Sequence, residues 1–355
     1  MTVAPFGPTR YTFGVMSDFN WAQFATSMIV ILVILHLSLG AAAYFIMLER
    51  KISAWVQDRL GPNRTGPVGL LQPIADGLKL FLKEEFVPPK ADRTLFMLAP
   101  ALTAVPALLG FVIIPWGGEL DLSGFPFYGE GTVQVSGADL NVGVIYIVAF
   151  ASLAVYGVTL GGWASNSKYS FFGGIRASAQ MISYEIPLGV ALLCVVLAAG
   201  DVRPTEIIAQ QSDSAWNLIH LPLVALIFYI CMLAEANRAP FDLAEAESEL
   251  VGGWHTEYSS MKWALFFLGE YVNLFIGGAL FAILFLGGWS LNPVPGLIPF
   301  DVPDSGGLLV ILLQVVVVMA KAFLLVCLAM LVRWTIPRFR FEHFRKLRWG
   351  VLLPF

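Results

Sequence analysis

Charged side chains lie inside or at the ends of apolar stretches that are otherwise long enough to cross a membrane. These residues are Glu49, Glu185, Glu235, Glu270 and Lys321. A charge in hydrocarbon is costly, so each residue is a functional candidate, although a structural ion pair would explain any single one. Because burial can move the pKa values of carboxyl and amino groups toward neutrality, the whole set favours a proton relay.

A second concentration of carboxylates follows the fifth apolar stretch, in the segment 235–250. Its charged residues are Glu235, Arg238, Asp242, Glu245, Glu247 and Glu249. Pro240 cannot continue the preceding helix. If a new helix begins at Asp242, then Asp242, Glu245 and Glu249 share one face. The alternative is a solvated acidic loop, which would have flanks rich in glycine, serine or lysine, whereas these flanks are apolar. Such a cluster is predicted to titrate as a coupled set.

The elements that position these residues are predicted to be transmembrane helices. The chain is 57% hydrophobic and 13% charged, whereas soluble domains are about 25% charged. About 20 apolar residues span a bilayer, and the lipid environment favours helices. The sequence therefore predicts one all-α integral membrane domain over residues 1–355. The predicted spans are 22–48, 95–115, 141–163, 179–200, 217–235, 263–289 and 308–332.

The segment 61–86 predicts an amphipathic helix at the membrane surface, over about residues 67–86. Gln72, Asp76, Lys79 and Lys83 follow a helical spacing, and Leu71, Ile74, Leu78, Phe81 and Leu82 occupy the other side. A plain interfacial anchor is an equal alternative. Asp76 is the unusual feature, because surface anchors favour lysine and arginine on the polar side.

Basic residues indicate the orientation. Lysine and arginine concentrate in the loops 49–94, 164–178 and 236–262 and in the tail after residue 332, whereas the opposite side has only Arg10 and Arg203. The positive-inside preference places the basic side in the cytoplasm, or in the matrix of an organelle, with the N-terminus outside. The first apolar stretch exceeds the length of a signal peptide core and is predicted to be an uncleaved span.

Several other classes of site find no support in the sequence. The three cysteines and four histidines are scattered, without the spacing of a metal, haem or disulfide site. A nucleotide-binding glycine motif and a basic nucleic-acid surface are also missing. We therefore expect no metal or redox cofactor on this chain. Gly157 and Gly161 predict close helix packing in the third span.

Three ordered motifs resemble one family of membrane proteins. They are Glu49-Arg-Lys followed by GPNRTGP and LLQPIADGLK, then SAQMISYE ending at Glu185, then EANRAPFDLAEAESEL from Glu235 to Leu250. These motifs are similar to those of the membrane-embedded H subunits of bacterial NADH:quinone oxidoreductase, which correspond to the mitochondrially encoded subunit 1 of complex I. The similarity extends from about residue 25 to the end.

The resemblance implies a role at the quinone site and in proton translocation. The residues implied at the quinone tunnel and its acidic loop are Glu49, Arg50, Arg59, Asp76, Arg238, Asp242, Glu245, Glu247 and Glu249. The residues implied on the proton path are Glu185, Glu235 and Glu257. We add Glu270 and Lys321 to that path on their chemistry alone. The family usually has a further span after the basic tail, so seven or eight spans are expected.

The resemblance also implies the partners. Quinone is the implied substrate, and FMN and iron–sulfur clusters are expected in other subunits. Expected neighbours are the peripheral quinone-site and iron–sulfur subunits, small membrane subunits and antiporter-like subunits, in the bacterial plasma membrane or the mitochondrial inner membrane. Three alternatives stay open: the related anchor of a membrane-bound hydrogenase or ferredoxin-driven pump, a stand-alone ion-coupled transporter, and a structural scaffold.

Overall fold

The structure is a computed structural model that describes residues 21–121, 132–296, 302–352 and residue 354. Arg10 lies outside the described residues, as do the side chains of Glu247, Arg345 and Arg348.

Helices make up almost all of the regular structure in the described part of the chain, which confirms the predicted all-α bundle. In chain order they are α1 (Trp21–Val56), α2 (Gln72–Leu82), α3 (Arg93–Gly110), α4 (Gly143–Ala164), α5 (Lys168–Ala199), α6 (Pro204–Asp213), α7 (Asn217–His220), α8 (Pro222–Glu235), α9 (Glu247–Leu250), α10 (Ser260–Phe285), α11 (Leu308–Thr335) and α12 (Phe341–Leu347). Two 3₁₀ turns (Pro67–Gly69 and Gly253–His255) and a π-helical turn (Arg348–Leu352) complete the helical structure.

Six of these helices have the length and apolar composition needed to cross a membrane, counted over the described residues. They are α1, α3, α4, α5, α10 and α11. The region 217–235, where the sequence predicts a span, is instead divided into α7 and α8. The division falls at Leu221, which adopts a non-helical conformation before Pro222. Proline suits the first position of a helix because its missing N–H has no partner there in any case.

Three short strands join the loops at one end of the bundle. They are β1 (Glu119–Asp121), β2 (Thr132–Gln134) and β3 (Ser305–Gly306), in the order β2-β1-β3. β1 pairs antiparallel with β2 and parallel with β3. We call this the sheet end. The other end, which carries the loops after α1, α4 and α8 and the tail after α11, is the basic end.

Helix α10 forms the centre of the bundle. It packs against α1, α3, α8 and α11, and its residues 278–285 are all buried. At Gly157 of α4, a Cβ would lie 2.1 Å from Oγ1 of Thr103 on α3, and at Gly161 it would lie 3.3 Å from the Phe266 ring. The predicted glycine packing is therefore confirmed.

Helix α2 is amphipathic as predicted but shorter, with a 3₁₀ turn before it. Its apolar side chains are uncovered: Ile74, Leu78, Phe81 and Leu82 are all more than half exposed. Neighbouring elements hold both ends. Lys51 donates to the Val68 carbonyl at 2.5 Å before the helix begins. After the helix ends, Lys262 of α10 pairs with Glu85 at 2.5 Å.

Candidate functional site

A buried carboxylate at the basic end contacts groups from three other elements. Glu49, on the last third of α1, has a side chain only 8% exposed. It accepts a hydrogen bond from Nη1 of Arg238, in the loop after α8, at 3.1 Å. It also accepts from the hydroxyl of Tyr271 on α10 and from Nη1 of Arg333 at the end of α11. With Glu270, these four residues form what we call the Glu49 cluster.

Arg238 is the most enclosed cation of the cluster. Its guanidinium lies 4.0 Å from the centre of the Tyr271 ring and 5.7 Å from that of Phe267. Its Nη2 lies 3.7 Å from Oε2 of Glu270. Burial works to lower the pKa of Arg238, but Tyr271 and the carboxylates of Glu49 and Glu270 outweigh it and raise the pKa. The guanidinium therefore stays protonated between two carboxylates.

Asp242 is buried a few residues further along the same loop. It accepts from Nη2 of Arg338 at 2.8 Å. Burial and the nearby carboxylate of Glu245 raise the pKa of Asp242 to about 6, against the opposing effect of Arg338 and Arg333. This carboxyl group therefore exchanges its proton near neutral pH, where a coupling group is useful.

The acidic loop does not form a helix from Asp242. Regular helix is confined to α9, so the prediction that Asp242, Glu245 and Glu249 share a helical face is wrong. Asp242 points inward, whereas Glu249 is exposed and pairs with Arg176 of α5 at 2.5 Å. Glu245 lies 4.0 Å from Nδ1 of His255. The buried Arg238 and Asp242 hold the first part of the loop in the protein, and this explains the departure from helical spacing.

Two small cavities lie against Glu235, and one of them also touches Glu270 of the cluster. One, of about 10 Å³, is lined by Glu270 and Glu235 with Thr103, Asn237 and Asn273 among others. The second, of about 40 Å³, also touches Glu235 and Asn273 and continues between α4, α5, α8 and α10. A water molecule needs roughly 10–15 Å³ of such space, so the first cavity holds about one.

Glu185 is not among the residues that line these cavities. It is half-buried on α5 and close enough to Glu235 for the two carboxylates to interact electrostatically.

Asp76 and Arg50 form a separate pair beside the cluster. Asp76 of α2 accepts from Nη1 of Arg50 at 2.7 Å and from Nε2 of Gln72 at 3.0 Å. Arg59 is exposed in the turn after α1, where it donates to Gln57 at 2.8 Å. These residues therefore lie at the surface of the basic end, outside the buried cluster. Glu257 is half-buried in the loop before α10.

Lys321 lies against the end of another helix, away from the Glu49 cluster. Its ammonium group contacts backbone carbonyls just beyond the end of α10. Arg333 follows Lys321 by twelve residues along α11, which corresponds to about 18 Å at 1.5 Å per residue.

Three members of the site are missed by reasoning from the sequence. Arg333 and Arg338 count there only as basic residues that orient the chain, and Tyr271 is not singled out. Arg333 is the first charge after a long apolar run, and Tyr271 directly follows an intramembrane glutamate. These signals mark candidates but do not show that Arg333 and Tyr271 reach Glu49.

A wide apolar groove leads along α1 toward the cluster. It consists of two cavities, of about 370 and 600 Å³, between α1 and α11, and both are lined by Leu37 and Val315. Almost every lining side chain is apolar. At the basic end the groove reaches Met47 and Leu48, directly before Glu49.

Comparison with known proteins gives a consistent result. The family described as NADH dehydrogenase matches residues 28–355. A NADH-quinone oxidoreductase H subunit of Cytophaga hutchinsonii is 44% identical over 92% of each chain. An H subunit of the same enzyme from Syntrophobacter fumaroxidans is 47% identical over 94% of each chain. An H subunit from Geobacter sulfurreducens is 46% identical over 91% of this chain and 90% of its own.

Proposed function

The chain belongs to the NADH dehydrogenase family, among the H subunits of NADH-quinone oxidoreductase, and from this membership we propose that its Glu49 cluster couples quinone reduction to proton translocation. The observation that carries the proposal is the joining of Glu49, Arg238 and Arg333 by direct contacts in a buried site. Charges held this close respond to any change in the charge of a neighbouring ligand.

The chemistry of quinone reduction supplies such a change. A quinone takes up two electrons and two protons to become a quinol. An iron–sulfur cluster in a partner subunit supplies the electrons, and FMN accepts them from NADH in another. Negative charge that develops on the headgroup attracts Arg238 and Arg333 away from Glu49. The buried carboxylates, including Asp242, then bind protons more readily.

The apolar groove supports quinone as the substrate. An isoprenoid tail is long and apolar, and the groove offers an apolar wall that ends at Met47 and Leu48, the residues directly before Glu49 in the chain. The uncovered apolar face of α2 suits the boundary between water and lipid, where such a tail enters.

The proton route that we propose starts at Asp242 and Glu245. It continues through Glu270 and Glu235 to Glu185. The cavity that touches both Glu270 and Glu235 provides a place for a bridging water, so no direct carboxyl contact is needed. From Glu185, on α5, the route passes to small membrane subunits and then to antiporter-like subunits.

The surface charges of the basic end fit a peripheral partner. Arg59, Glu249 and Glu257 lie there, with the Arg50–Asp76 pair beside them. We propose that this end faces the cytoplasm and carries the peripheral quinone-site and iron–sulfur subunits.

The experiment that tests this function is purification of the chain from native membranes in mild detergent. We expect a large assembly that contains flavin and iron–sulfur clusters. It should oxidise NADH with a quinone analogue as acceptor, and a quinone-site inhibitor should block this activity.

Two results would contradict the proposal. An assembly that oxidises hydrogen or reduced ferredoxin without quinone would identify the related hydrogenase or ferredoxin-driven pump. A chain that purifies alone would favour a transporter. The control is the same preparation from membranes that lack this chain.

A further inference from the structure

The C-terminal end of α10 lies against the middle of α11, where Lys321 projects toward it. Nζ of Lys321 donates to the carbonyls of Leu286, Gly288 and Ser290 at 2.6, 2.7 and 2.5 Å. An ammonium group has three N–H donors, and a neutral amine has only two. The three acceptors therefore match the charged form of lysine.

The ring of Trp216 adds a fourth contact. Nζ of Lys321 lies 4.6 Å from the centre of this ring. The negative face of an aromatic ring attracts a cation more strongly than a neutral amine. The carbonyls at a helix C-terminus likewise carry partial negative charge. The Trp216 ring and the carbonyls therefore both stabilise the protonated form of Lys321.

Two amides complete the same helix end. Gln211 donates to the Ile283 carbonyl at 2.8 Å and accepts from the Gly287 N–H at 3.1 Å. Asn217 donates to the Leu284 carbonyl at 2.9 Å. Backbone that leaves the helix at membrane depth is tolerated only when its polar groups are satisfied within the protein. The two amides provide hydrogen-bond partners for backbone groups at the end of α10, whereas Lys321 provides both hydrogen bonds and a positive charge.

The position of Lys321 separates it from the proton-binding groups. Leu286 follows Glu270 by sixteen residues, which corresponds to about 24 Å of helix. The intervening residues 274–285 have no ionisable side chain, and neither Glu235 nor Glu270 is among the residues that Lys321 contacts in these bonds. A carrier at Lys321 would also have to release a proton and leave one of the three carbonyls without its donor.

We propose that Lys321 is a permanent positive charge that stops protons from passing between the carboxylate route and the sheet end of the bundle. This inference deepens the proposed function and rests on it, because it assigns a barrier to the same route. A fixed cation repels a hydrated proton in the same way that an arginine excludes protons from a water channel. Protons bound at Glu235 then leave sideways through Glu185 and do not leak straight across the membrane.

The test measures passive proton leak through the purified complex in liposomes, with a quinone-site inhibitor present so that no turnover occurs. The variants are Lys321→Arg, Lys321→Gln and Lys321→Met. We expect Lys321→Arg to keep the wild-type leak rate and proton pumping. The two neutral variants should leak on the order of tenfold faster, because a unit charge about 10 Å away contributes roughly this much to a barrier.

Gln211→Leu is the matched control. It removes hydrogen bonds from the same helix end but keeps the charge of Lys321, so it should not increase the leak. A leaky Gln211→Leu complex would show that loosened packing and not charge is responsible.

Two results would overturn the proposal. One is a neutral variant that assembles and stays as proton-tight as the wild type. The other is a Lys321→Arg complex that reduces quinone but no longer pumps, which would identify Lys321 as a carrier. If the neutral variants do not assemble, proton pumping by the Lys321→Arg complex decides whether Lys321 is a fixed charge or a proton carrier. Because the leak is measured without turnover, its outcome is separate from whether quinone is the substrate.

Discussion

The Arg333→Met substitution removes one of the two guanidinium groups that contact Glu49. The side chains of Glu49 and Arg333 are 8% and 29% exposed. At an effective permittivity of 20, unit charges about 4 Å apart attract each other by about 4 kcal/mol. Partial exposure of Arg333 and the cost of its desolvation reduce this to a net coupling of about 2 kcal/mol. A change of this size alters a rate by about 30-fold.

A double-mutant cycle measures this coupling. The cycle compares wild type, Glu49→Gln, Arg333→Met and the double variant. The assay is the rate at which this chain is lost from the high-mass complex on heating, followed by native gel electrophoresis, which does not depend on catalytic activity. We expect each single variant to lose the chain faster. Arg333→Met should have a much smaller effect once Glu49 is neutral, since the two residues interact directly.

The matched control for this cycle is Arg340→Met, which removes an exposed arginine of the same tail. Two results would refute the contact between Arg333 and Glu49. One is that the effects of Arg333→Met and Glu49→Gln on the rate of loss are additive in the double variant. The other is that Arg333→Met loses the chain no faster than Arg340→Met.

Three further predictions concern packing, titration and the amphipathic helix. Gly157→Ala should lower the amount of assembled complex on native gels, because the new Cβ overlaps a neighbouring helix, whereas Gly40→Ala, with open space around its Cβ, should not. Infrared spectra should show the protonated carboxyl band of Asp242 disappearing as pH rises through about 6. In Arg338→Met the midpoint of this titration should move to higher pH, because Arg338 stabilises the ionised form of Asp242 and is now missing. An unchanged midpoint would contradict the Arg338–Asp242 ion pair. Lys262→Met should increase the mobility of a spin label on α2, and unchanged mobility would show that the ion pair does not hold this helix.

The all-α bundle can be predicted from the sequence because lipid imposes simple rules. Long apolar runs must be helical, and each of the six helices able to span overlaps one of the predicted spans, although α1 continues past residue 48 and α5 begins well before residue 179. The break between α7 and α8 is harder to predict, because both halves are apolar and the main sign of a break is Pro222. Propensity alone does not show whether a proline bends a helix or ends it.

The members of the site can be nominated from the sequence, but their contacts cannot. Glu49, Arg238 and Glu270 each stand out by a charge in an apolar setting. Their meeting depends on how α1, α10 and the loop after α8 pack, and periodicity does not contain this information. Arg333 looks like an ordinary tail residue for the same reason.

Lys321 stands out in the sequence, but the sequence does not show its role. A lysine in the middle of an apolar helix carries the same sequence signal whether it transfers protons or satisfies backbone carbonyls. Its contacts to Leu286, Gly288 and Ser290 distinguish these roles only because the fold brings the end of another helix beside it. The acidic loop is similar, since the sequence does not show that Asp242 is buried and bound by Arg338.

The number of protons pumped per NADH oxidised, compared between wild type and Glu235→Gln in sealed vesicles, tests the coupling role most directly. Glu235 touches both small cavities and interacts with Glu185, so the proposed route from Glu270 to Glu185 passes through it. We predict that Glu235→Gln assembles but loses pumping, and that Glu235→Asp restores part of it. A Glu235→Gln complex with the wild-type rate of quinone reduction and the wild-type proton ratio would contradict the proposed route.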